Sequence, residues 1–215
     1  EQYKILVNLI KTNEKNLQTI NILSAGCSTG EEPYSIAMYL KTNLSATQFD
    51  RIRITGIDIS TLNITIAKRA LYPQLKIDKI KEKDQVNVRM YFQQTRDDDN
   101  YEIIPLIKNK VQFFVENLFE YNFRNKFNFI FCRNVMIYFS DEKRNKLLKK
   151  FYDNLLDDCG YFFIAPTESL LDAKNLFERI RENDTTYYKK IVETSKSRKQ
   201  DIELIKPKKK DDNII

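Results

Sequence analysis

Histidine is absent from the 215-residue sequence, and cysteine occurs only three times. The absence of His excludes Ser-His-Asp and Cys-His catalysis, because both use an imidazole as the general base. Cys27, Cys132 and Cys159 are odd in number, lie far apart and form no Cys-x-x-Cys pair. This pattern argues against a zinc site and against a disulfide framework. Reduced thiols in a cytoplasmic protein are the simplest expectation.

Long apolar runs are absent as well. No stretch approaches ~20 consecutive apolar residues, so neither a membrane span nor membrane insertion is expected. Hydrophobic residues nevertheless make up 42% of the chain and aromatic residues 12%, which is enough for a globular core. At this length we expect one large domain, or one domain with a small subdomain.

Acidic residues do not balance the basic ones, and the net charge is +6. A positive charge suits an acidic partner and weakly permits nucleic acid. The excess comes from scattered lysines and from the C-terminal end, without a dense basic stripe. We therefore expect a solvated surface and no nucleic-acid binding. Residues 194–215 are predicted to be a disordered basic tail or a linker.

Glycine is also scarce, yet two of the four glycines, Gly26 and Gly30, lie four residues apart in N-I-L-S-A-G-C-S-T-G-E-E-P-Y-S. Because Gly adopts positive φ cheaply, this spacing predicts a turn that needs backbone freedom. The preceding residues predict a strand and the following ones a helix, with Glu31 and Glu32 at its start. The stretch is therefore predicted to be a strand-to-helix loop whose backbone a ligand approaches closely.

This loop differs from the common phosphate-binding loops. No Gly-Lys-Ser/Thr follows, as it does in a P-loop, and the pattern is not G-x-G-x-x-G. Two carboxylates at the helix start would repel a pyrophosphate, but they suit a ligand that carries an amine or a sulfonium. S-adenosyl-L-methionine (SAM) carries both groups, which favours it over NAD. An ordinary strand-to-helix turn with acidic capping residues is the alternative.

A second strand is predicted in R-I-R-I-T-G-I-D-I, from Arg51 to Ile59, because apolar residues alternate there. Asp58 lies near the end of this strand, where related folds bind a ribose hydroxyl pair. The alternative is that Asp58 caps the next helix. Ser60 is better placed for that cap, so the ribose role is favoured.

The rest of the chain alternates helix and strand patterns. Helices are predicted at 1–17, 33–44, 60–71 and 168–177 and after Ser140, with a weaker one at 77–88. Strands are predicted at 20–25, 111–118, 127–132 and 161–165, with a hairpin at 88–94 and 101–106 and a final antiparallel pair at 177–180 and 186–192. Tyr72-Pro73 is expected to end the helix over 60–71, and Gly160 to stop the helix after Ser140. This order predicts an α/β fold with a mostly parallel sheet.

Polar residues stand at the ends of two of these strands. Asn117 closes one of them, and Arg133 and Asn134 follow another. In open α/β sheets, ligands bind beyond the carboxyl ends of the strands. These positions are therefore candidates for a binding site.

Two long segments, S-A-G-C-S-T-G-E-E-P-Y-S (Ser24 to Ser35) and F-C-R-N-V-M-I-Y-F (Phe131 to Phe139), resemble the signature segments of chemotaxis receptor methyltransferases, the CheR family. The similarity runs from about Tyr3 to Ile191. Members of that family transfer a methyl group from SAM to glutamate side chains on the cytoplasmic helices of chemoreceptors. The resemblance implies a Rossmann-like class I methyltransferase sheet in residues 1–193, mostly parallel with an antiparallel last strand. It also implies a small inserted antiparallel β-subdomain at about 88–106.

The resemblance also implies roles for individual residues. Gly26 and Gly30 would shape the cofactor loop, Glu31 would contact the methionine part of SAM, and Asp58 would take the ribose. The remaining cofactor positions are Asn117 and Leu118 in the adenine region, with Cys132, Arg133 and Asn134 in the loop beside the cofactor. No metal is implied.

Arg133 and Tyr138 are the candidate catalytic residues, and the resemblance implies that Tyr138 faces the transferred methyl group. We expect both to position the reactants, and neither is assigned as acid or base. The alternative for Arg133 is a salt bridge that ties strand to helix. For Tyr138 it is a packed aromatic residue at the entry of the next helix.

The sequence departs from the family pattern in three ways. The N-terminal helical domain and the Arg segment just before the position of Glu1 are not present, so we expect a catalytic domain alone, with SAM binding that is weak or absent. Ala165-Pro166-Thr167-Glu168 replaces the usual Gly-His-Ser-Glu. The predicted hairpin lacks the glycine found in members that dock on a receptor tether, so no tether binding is expected. The expected function is methylation of chemoreceptor glutamates by a cytoplasmic monomer, and the alternative is a non-catalytic SAM-binding sensory or scaffold module.

Overall fold

The structure is a computed structural model that describes residues 1–13, 18–78, 88–96, 100–123, 126–155, 160–170 and 173–192. The helices with both ends described are α1 (Gln2–Thr12), α2 (Glu31–Asn43), α3 (Ala46–Asp50), α4 (Thr61–Arg69), α5 (Pro105–Lys108) and α6 (Asp141–Asn154). Residues 74–78 are helical as well. The described strands are β1 (Ile20–Ala25), β2 (Ile52–Asp58), β3 (Leu71–Pro73), β4 (Phe92–Gln94), β5 (Asn100–Ile103), β6 (Val111–Val115), β7 (Phe129–Phe131), β8 (Tyr161–Phe163), β9 (Phe177–Glu182) and β10 (Thr185–Lys190). One-turn 3-10 helices cover Val88–Tyr91 and Met136–Tyr138.

Seven of these strands form one sheet in the order β6-β2-β1-β7-β8-β10-β9. The first five run parallel, whereas β10 pairs antiparallel with β8 and β9. The predicted α/β fold, with a mostly parallel sheet and an antiparallel end, is thereby confirmed. Because parallel strands end at the same edge, the loops after β1, β2, β6, β7 and β8 meet there.

β1 and β7 form the centre of the sheet because their residues are apolar on both faces, as expected of buried parallel strands. Ile22 and Leu23 of β1 and all three residues of β7 have no exposed surface. Phe131 of β7 stacks on Phe163 of β8, with ring centroids 4.5 Å apart. Apolar residues of α1, α2 and α4 pack on one face, and those of α6 pack on the other.

The first helix is shorter than the pattern over 1–17 predicted. α1 buries Ile5, Leu6, Val7 and Ile10 and ends at Thr12, and residues 14–17 lie outside the described residues. Its buried face covers the centre of the sheet, so the predicted packing of this helix on the sheet is confirmed.

The small β-sheet has three strands in the order β3-β5-β4, all antiparallel. The predicted hairpin corresponds to β4 and β5, but β3 was not predicted. α4 ends at Arg69, and its C-cap Ala70 takes a left-handed φ of 58°, so Tyr72 and Pro73 form a strand instead of closing the helix. Tyr72 is buried there, and its hydroxyl donates a hydrogen bond of 2.8 Å to the carbonyl oxygen of Thr29.

The helix predicted at 168–177 is wrong for the residues that the structure describes in this range. Leu170 and Ala173 are both buried, at a spacing of three that also occurs on the buried face of a helix. The chain makes turns instead, with the Ala173 N–H bonded to the Leu170 carbonyl and the Leu176 N–H bonded to the Ala173 carbonyl. β9 then begins at Phe177. The spacing of the apolar residues therefore indicated which residues are buried, but it did not indicate a helix.

The end of α6 also differs from its prediction. The helix begins after Ser140, as predicted, but it ends at Asn154, and Leu155 is extended. Gly160 lies beside β8, where its carbonyl accepts the Lys190 N–H, so it does not stop the helix. Leu147, Leu148, Phe151 and Leu155 are buried as predicted.

Some predictions fall outside the described residues. Most of the weak helix at 77–88 and the whole tail at 194–215 are among them, and the domain boundary between 1–193 and 194–215 stays a prediction. Over the described ranges, we find no helix with the length and apolar character needed to cross a membrane.

Phe131→Ala is expected to lower the free energy of unfolding by about 3–5 kcal/mol, because truncating a fully buried Phe loses its transfer free energy and leaves a cavity. Phe114→Ala is the matched control. Phe114 lies on β6 at the edge of the sheet and is 37% exposed, so its truncation is expected to cost clearly less. Urea unfolding followed by circular dichroism measures both losses, and equal losses would contradict the central position of β7.

Candidate functional site

The loop between β1 and α2 owes its shape to its two glycines. Gly26 and Gly30 have φ of 76° and 91°, the left-handed region that the glycine spacing predicted. A Cβ on Gly26 would lie 2.3 Å from Cγ2 of Val135, and one on Gly30 would lie 2.9 Å from Cβ of Ala67. The closely approaching groups are thus side chains of the protein itself. Gly26 lets the first signature segment touch the second.

Asp58, at the end of β2, holds this loop through its carboxylate. Its Oδ2 accepts the Ser28 N–H at 2.8 Å, and its Oδ1 accepts the Ser60 N–H at 2.9 Å. Ser60 is the N-cap of α4, as predicted, and its hydroxyl accepts the Asn63 N–H. The carboxylate therefore supports the start of α4 and also lies against the glycine loop, while its ribose role stays a prediction.

Glu31 opens α2 and faces a lysine. Both of its carboxylate oxygens accept from the Thr29 hydroxyl, at 2.7 and 2.6 Å, and Oε1 forms an ion pair with Lys76. Burial raises the pKa of Glu31, but the hydrogen bonds from Lys76 and Thr29 outweigh burial, and the net pKa is lowered. Glu31 is therefore an anion at neutral pH, and a lysine occupies the position expected for a cationic ligand group.

Glu32 is more deeply placed and faces the core of the site. Its Oε1 accepts the Ser24 hydroxyl at 2.7 Å, and its Oε2 accepts from Nη1 of Arg133 at 3.2 Å. Burial raises its pKa, and the hydrogen bond from Ser24 and the charge of Arg133 only partly oppose that rise. The ion pair joins α2 to the loop after β7, which is the structural alternative that the sequence left open for Arg133. Among the described residues, Nε of Arg133 is buried without a hydrogen-bond partner.

Asn134 continues the same loop in an uncommon conformation. Its φ is 58°, in the left-handed region, and its N–H is accepted by Oε2 of Glu168 at 3.2 Å. The same oxygen accepts the Ala165 N–H at 2.8 Å. Glu168 therefore bridges the loop after β7 and the loop after β8.

The remaining predicted positions are less directly connected to these groups. Asn117 bonds within its own turn, to the Phe119 N–H and to Glu120. Leu118 and Cys132 are buried, and burial raises the pKa of the Cys132 thiol well above its usual value. Cys132 can therefore contribute only its backbone or its shape to a binding site, and not a thiolate.

Tyr138 lies on the surface of the same edge. It ends the 3-10 turn Met136–Tyr138, whose Met136 is buried in the core. The Tyr138 side chain is 80% exposed, so the alternative of a packed aromatic residue is wrong. Nearby, a cavity of about 480 Å³ opens beside Arg133, with Tyr3, Pro166 and Thr186 among its lining residues. The edge thus offers both a recess and an exposed aromatic residue.

Three contributors to the site were not given roles from the sequence: Tyr72, Lys76 and Glu168. Glu168 stands inside a quoted motif, as does Glu32, but the sequence did not reveal the partner of either residue. Tyr72 and Lys76 come from the chain around β3, a strand that the sequence did not predict. The hydrogen bonds of these residues join positions between 34 and 101 residues apart in the chain. Local sequence patterns do not predict contacts at such distances along the chain.

Comparison with known protein families identifies the family to which this chain belongs. Residues 2–186 match the family described as CheR methyltransferase, SAM binding domain. The chain belongs to this family. The resemblance stated from the two signature segments is thereby confirmed, and the family description names the cofactor expected from the sequence.

Curated relatives agree with this assignment. The chain is 37% identical over 178 residues to a chemotaxis protein methyltransferase of Borreliella burgdorferi, covering 80% of this chain and 61% of the relative. It is 34% identical over 180 residues to one of Vibrio anguillarum, covering 81% and 63%. The chain thus spans about three fifths of the length of these relatives.

Solved methyltransferases show lower similarity. Magnesium protoporphyrin IX methyltransferase (ChlM) from Synechocystis PCC 6803 with bound SAM aligns with a TM-score of 0.45 and 13% identity, covering 87% of this chain and 75% of that one. PKMT2 from Rickettsia typhi in complex with AdoHcy aligns with a TM-score of 0.41 and 17% identity, covering 69% and 21%. The family assignment rests on the sequence match and not on these values.

Arg133→Met is expected to destabilise the chain more at pH 8 than at pH 5. An acid whose pKa is raised on folding binds its proton more tightly in the folded state, so stability falls as pH rises above its ordinary value of 4.5. Arg133 is a cation that opposes the increase in the pKa of Glu32. Without Arg133 this pKa is raised further, and stability is lost over a wider pH range. Urea unfolding at both pH values measures the effect.

The control for this prediction is Glu32→Gln in combination with Arg133→Met. The neutral amide cannot ionise, so the double variant is expected to lose the additional pH dependence. An Arg133→Met chain whose loss of stability is the same at pH 5 and pH 8 would show that the ion pair does not govern the ionisation of Glu32.

Proposed function

We propose that this chain transfers a methyl group from SAM to glutamate side chains on the cytoplasmic helices of chemoreceptors, giving glutamyl methyl esters. The observation that carries the proposal is the contact between the two signature segments at the strand ends, within a chain that belongs to the CheR family. On this proposal the chain works in the cytoplasm, where those receptor helices lie, and acts as a monomer.

The charge of the strand edge supports SAM as the cofactor. Asp58, Glu31, Glu32 and Glu168 supply four carboxylates, and Arg133 and Lys76 supply two cations. An excess of carboxylates suits a ligand that carries a sulfonium and an ammonium group.

The proposed cofactor contacts follow the family pattern. Gly26 and Gly30 shape the loop, Glu31 binds the methionine part, Asp58 binds the ribose, and Asn117 and Leu118 line the adenine region. Cys132, Arg133 and Asn134 form the wall beside the cofactor. Support comes from the loop geometry at Gly26 and from the contact of Asp58 with the Ser28 N–H.

The chemistry requires little from acid or base groups. When bound, SAM supplies a methyl group on a sulfonium, which a carboxylate oxygen can take by in-line displacement. A glutamate with a pKa of ~4.3 is already ionised at neutral pH. No general base is therefore needed, and the absence of His is consistent with the reaction.

The contribution of the chain is alignment and exclusion of water, and well-oriented reactions of this kind gain on the order of 7–11 kcal/mol. Arg133 is held by Glu32 and lines the cavity of about 480 Å³, so we propose that it orients the substrate carboxylate. Tyr138 is exposed at the same edge, and we propose that it closes over the transferred methyl group when the receptor helix docks.

Tritiated SAM with a receptor cytoplasmic fragment tests the proposed reaction. Label is expected in the fragment and is expected to be released by alkali, because methyl esters are labile to base. A fragment whose target glutamates are changed to alanine is the control and is expected to remain unlabelled. Label that survives alkali would exclude glutamate O-methylation, whereas more than one methyl transferred per chain would exclude the non-catalytic alternative.

Calorimetry with S-adenosylhomocysteine (SAH), the demethylated product, tests the proposed cofactor site. Micromolar binding is expected for the unaltered chain and none for Asp58→Ala, since that change removes the proposed ribose acceptor and the support of the Ser28 N–H. Asp50→Ala is the matched control, because Asp50 lies at the end of α3 with a side chain that is 80% exposed. Equal binding by Asp58→Ala and Asp50→Ala would contradict the assignment of Asp58.

A further inference from the structure

We propose that Glu168 is a positioning residue that holds the Arg133–Asn134 corner, the two residues that follow Cys132 after β7. Its proposed effect on SAH binding rests on the proposed function above. The contact between Glu168 and the corner does not, so the two can be tested separately.

The geometry of Glu168 is that of a bridge between two loops. Oε2 accepts the Ala165 N–H at 2.8 Å and the Asn134 N–H at 3.2 Å. Ala165 belongs to the same turn as Glu168, whereas Asn134 lies 34 positions earlier in the chain. One carboxylate oxygen thereby ties the loop after β7 to the loop after β8. Hydrogen bonds from backbone N–H groups to a carboxylate are among the stronger ones in proteins.

The backbone at Asn134 needs such support. Its φ of 58° is in the left-handed region, which a non-glycine residue keeps only when its surroundings fix it. Asn tolerates this region better than most residues. The bond to Glu168 satisfies the Asn134 N–H in that conformation, so loss of the acceptor is expected to release the corner.

The corner is held from two sides by different carboxylates. Glu32 of α2 binds the Arg133 side chain, and Glu168 binds the Asn134 backbone. The two contacts act on different atoms and come from different elements. Removing Glu168 therefore frees the backbone of the corner while the Glu32–Arg133 pair remains, and the two roles can be separated by substitution.

The second oxygen of Glu168 indicates which substitution is conservative. Oε1 is buried and has no hydrogen-bond partner among the described residues. Glu168→Gln can place its carbonyl oxygen where Oε2 lies and its amide group where Oε1 lies. Because no donor binds Oε1 among the described residues, the amide group does not displace an existing hydrogen bond. Gln is therefore expected to keep both backbone bonds, whereas Glu168→Ala loses both.

Amide hydrogen exchange followed by NMR tests the contact in the complete chain without any ligand. In Glu168→Ala, the Asn134 and Ala165 amides are expected to exchange at least about tenfold faster than in the unaltered chain, and in Glu168→Gln within about threefold of it. Glu102→Ala is the control, since Glu102 pairs with Lys108 in the small sheet. It is expected to leave both amides unchanged.

SAH binding by calorimetry is the second readout. Glu168→Ala is expected to bind SAH at least about tenfold more weakly, and Glu168→Gln is expected to restore affinity to within about threefold. A merely structural role would lower the melting temperature without this rescue of affinity. Should Glu168→Ala fail to fold, Glu168→Asp replaces it, because the shorter side chain keeps the charge but loses its reach to Asn134.

Unchanged exchange at Asn134 in the Glu168→Ala chain, or in Glu168→Asp where that replaces it, would overturn the proposal. Faster exchange with unchanged SAH affinity would overturn it as well, since the corner would then not affect the site. If the unaltered chain does not bind SAH, the proposed cofactor site fails, whereas the exchange experiment still decides whether Glu168 holds the corner.

Discussion

The contact between Gly26 and Val135 is the constraint on which the rest of the site depends. β1 and β7 are neighbouring strands, so the loops that leave them must pass each other at the same edge of the sheet. A side chain at position 26 would meet Val135 at 2.3 Å, and the φ of 76° is one that side chains disfavour. Only with the loops this close can Glu32 reach Arg133 across them. The glycine is therefore required by packing within the protein before any ligand is considered.

Adjacent glutamates at the start of α2 show how position decides ionisation. The pKa of Glu31 is lowered and that of Glu32 is raised, although the two residues share one turn of helix. Glu31 faces the surface, where Lys76 and Thr29 stabilise its charge. Glu32 faces inward, where burial outweighs its partners. In many enzymes such a separation of pKa values marks an acid and a base, but the methyl transfer to an ionised carboxylate that we propose needs neither. Here Glu31 acts as a fixed negative charge, and both carboxylates act as hydrogen-bond acceptors.

The sequence predicted those parts of the fold that depend on local patterns. Alternating and continuous apolar runs located β1, β2, β7 and the antiparallel end, and the glycine spacing located the left-handed turn. The pattern misled where burial imitates a helix, as at Leu170 and Ala173, and where a helix ends without a glycine, as at Ala70. The small third strand β3 was missed because Tyr72 and Pro73 are held by long-range contacts.

The same limit applies to the site. The motifs contained Arg133, Asn134 and Glu168, but the sequence could not show that one carboxylate binds the Asn134 backbone and another the Arg133 side chain. Those partners are set by which strands are neighbours and by where their loops cross, and sheet order is not a local property. The exposure of Tyr138, by contrast, depends on local structure, because Met136 is buried two residues earlier in the same one-turn helix.

The structural contacts of Asp58 are compatible with the ribose-binding role that we propose for it. A carboxylate offers about four acceptor positions, and Asp58 uses two on the Ser28 and Ser60 N–H groups and a third on the Asn63 amide. The backbone bonds are short, at 2.8 and 2.9 Å, whereas the Asn63 contact is 3.4 Å. The long contact is the one that a ligand hydroxyl can replace at least cost. The backbone bonds would then keep the carboxylate oriented while the hydroxyl binds, so the support of the loop favours ligand binding instead of competing with it.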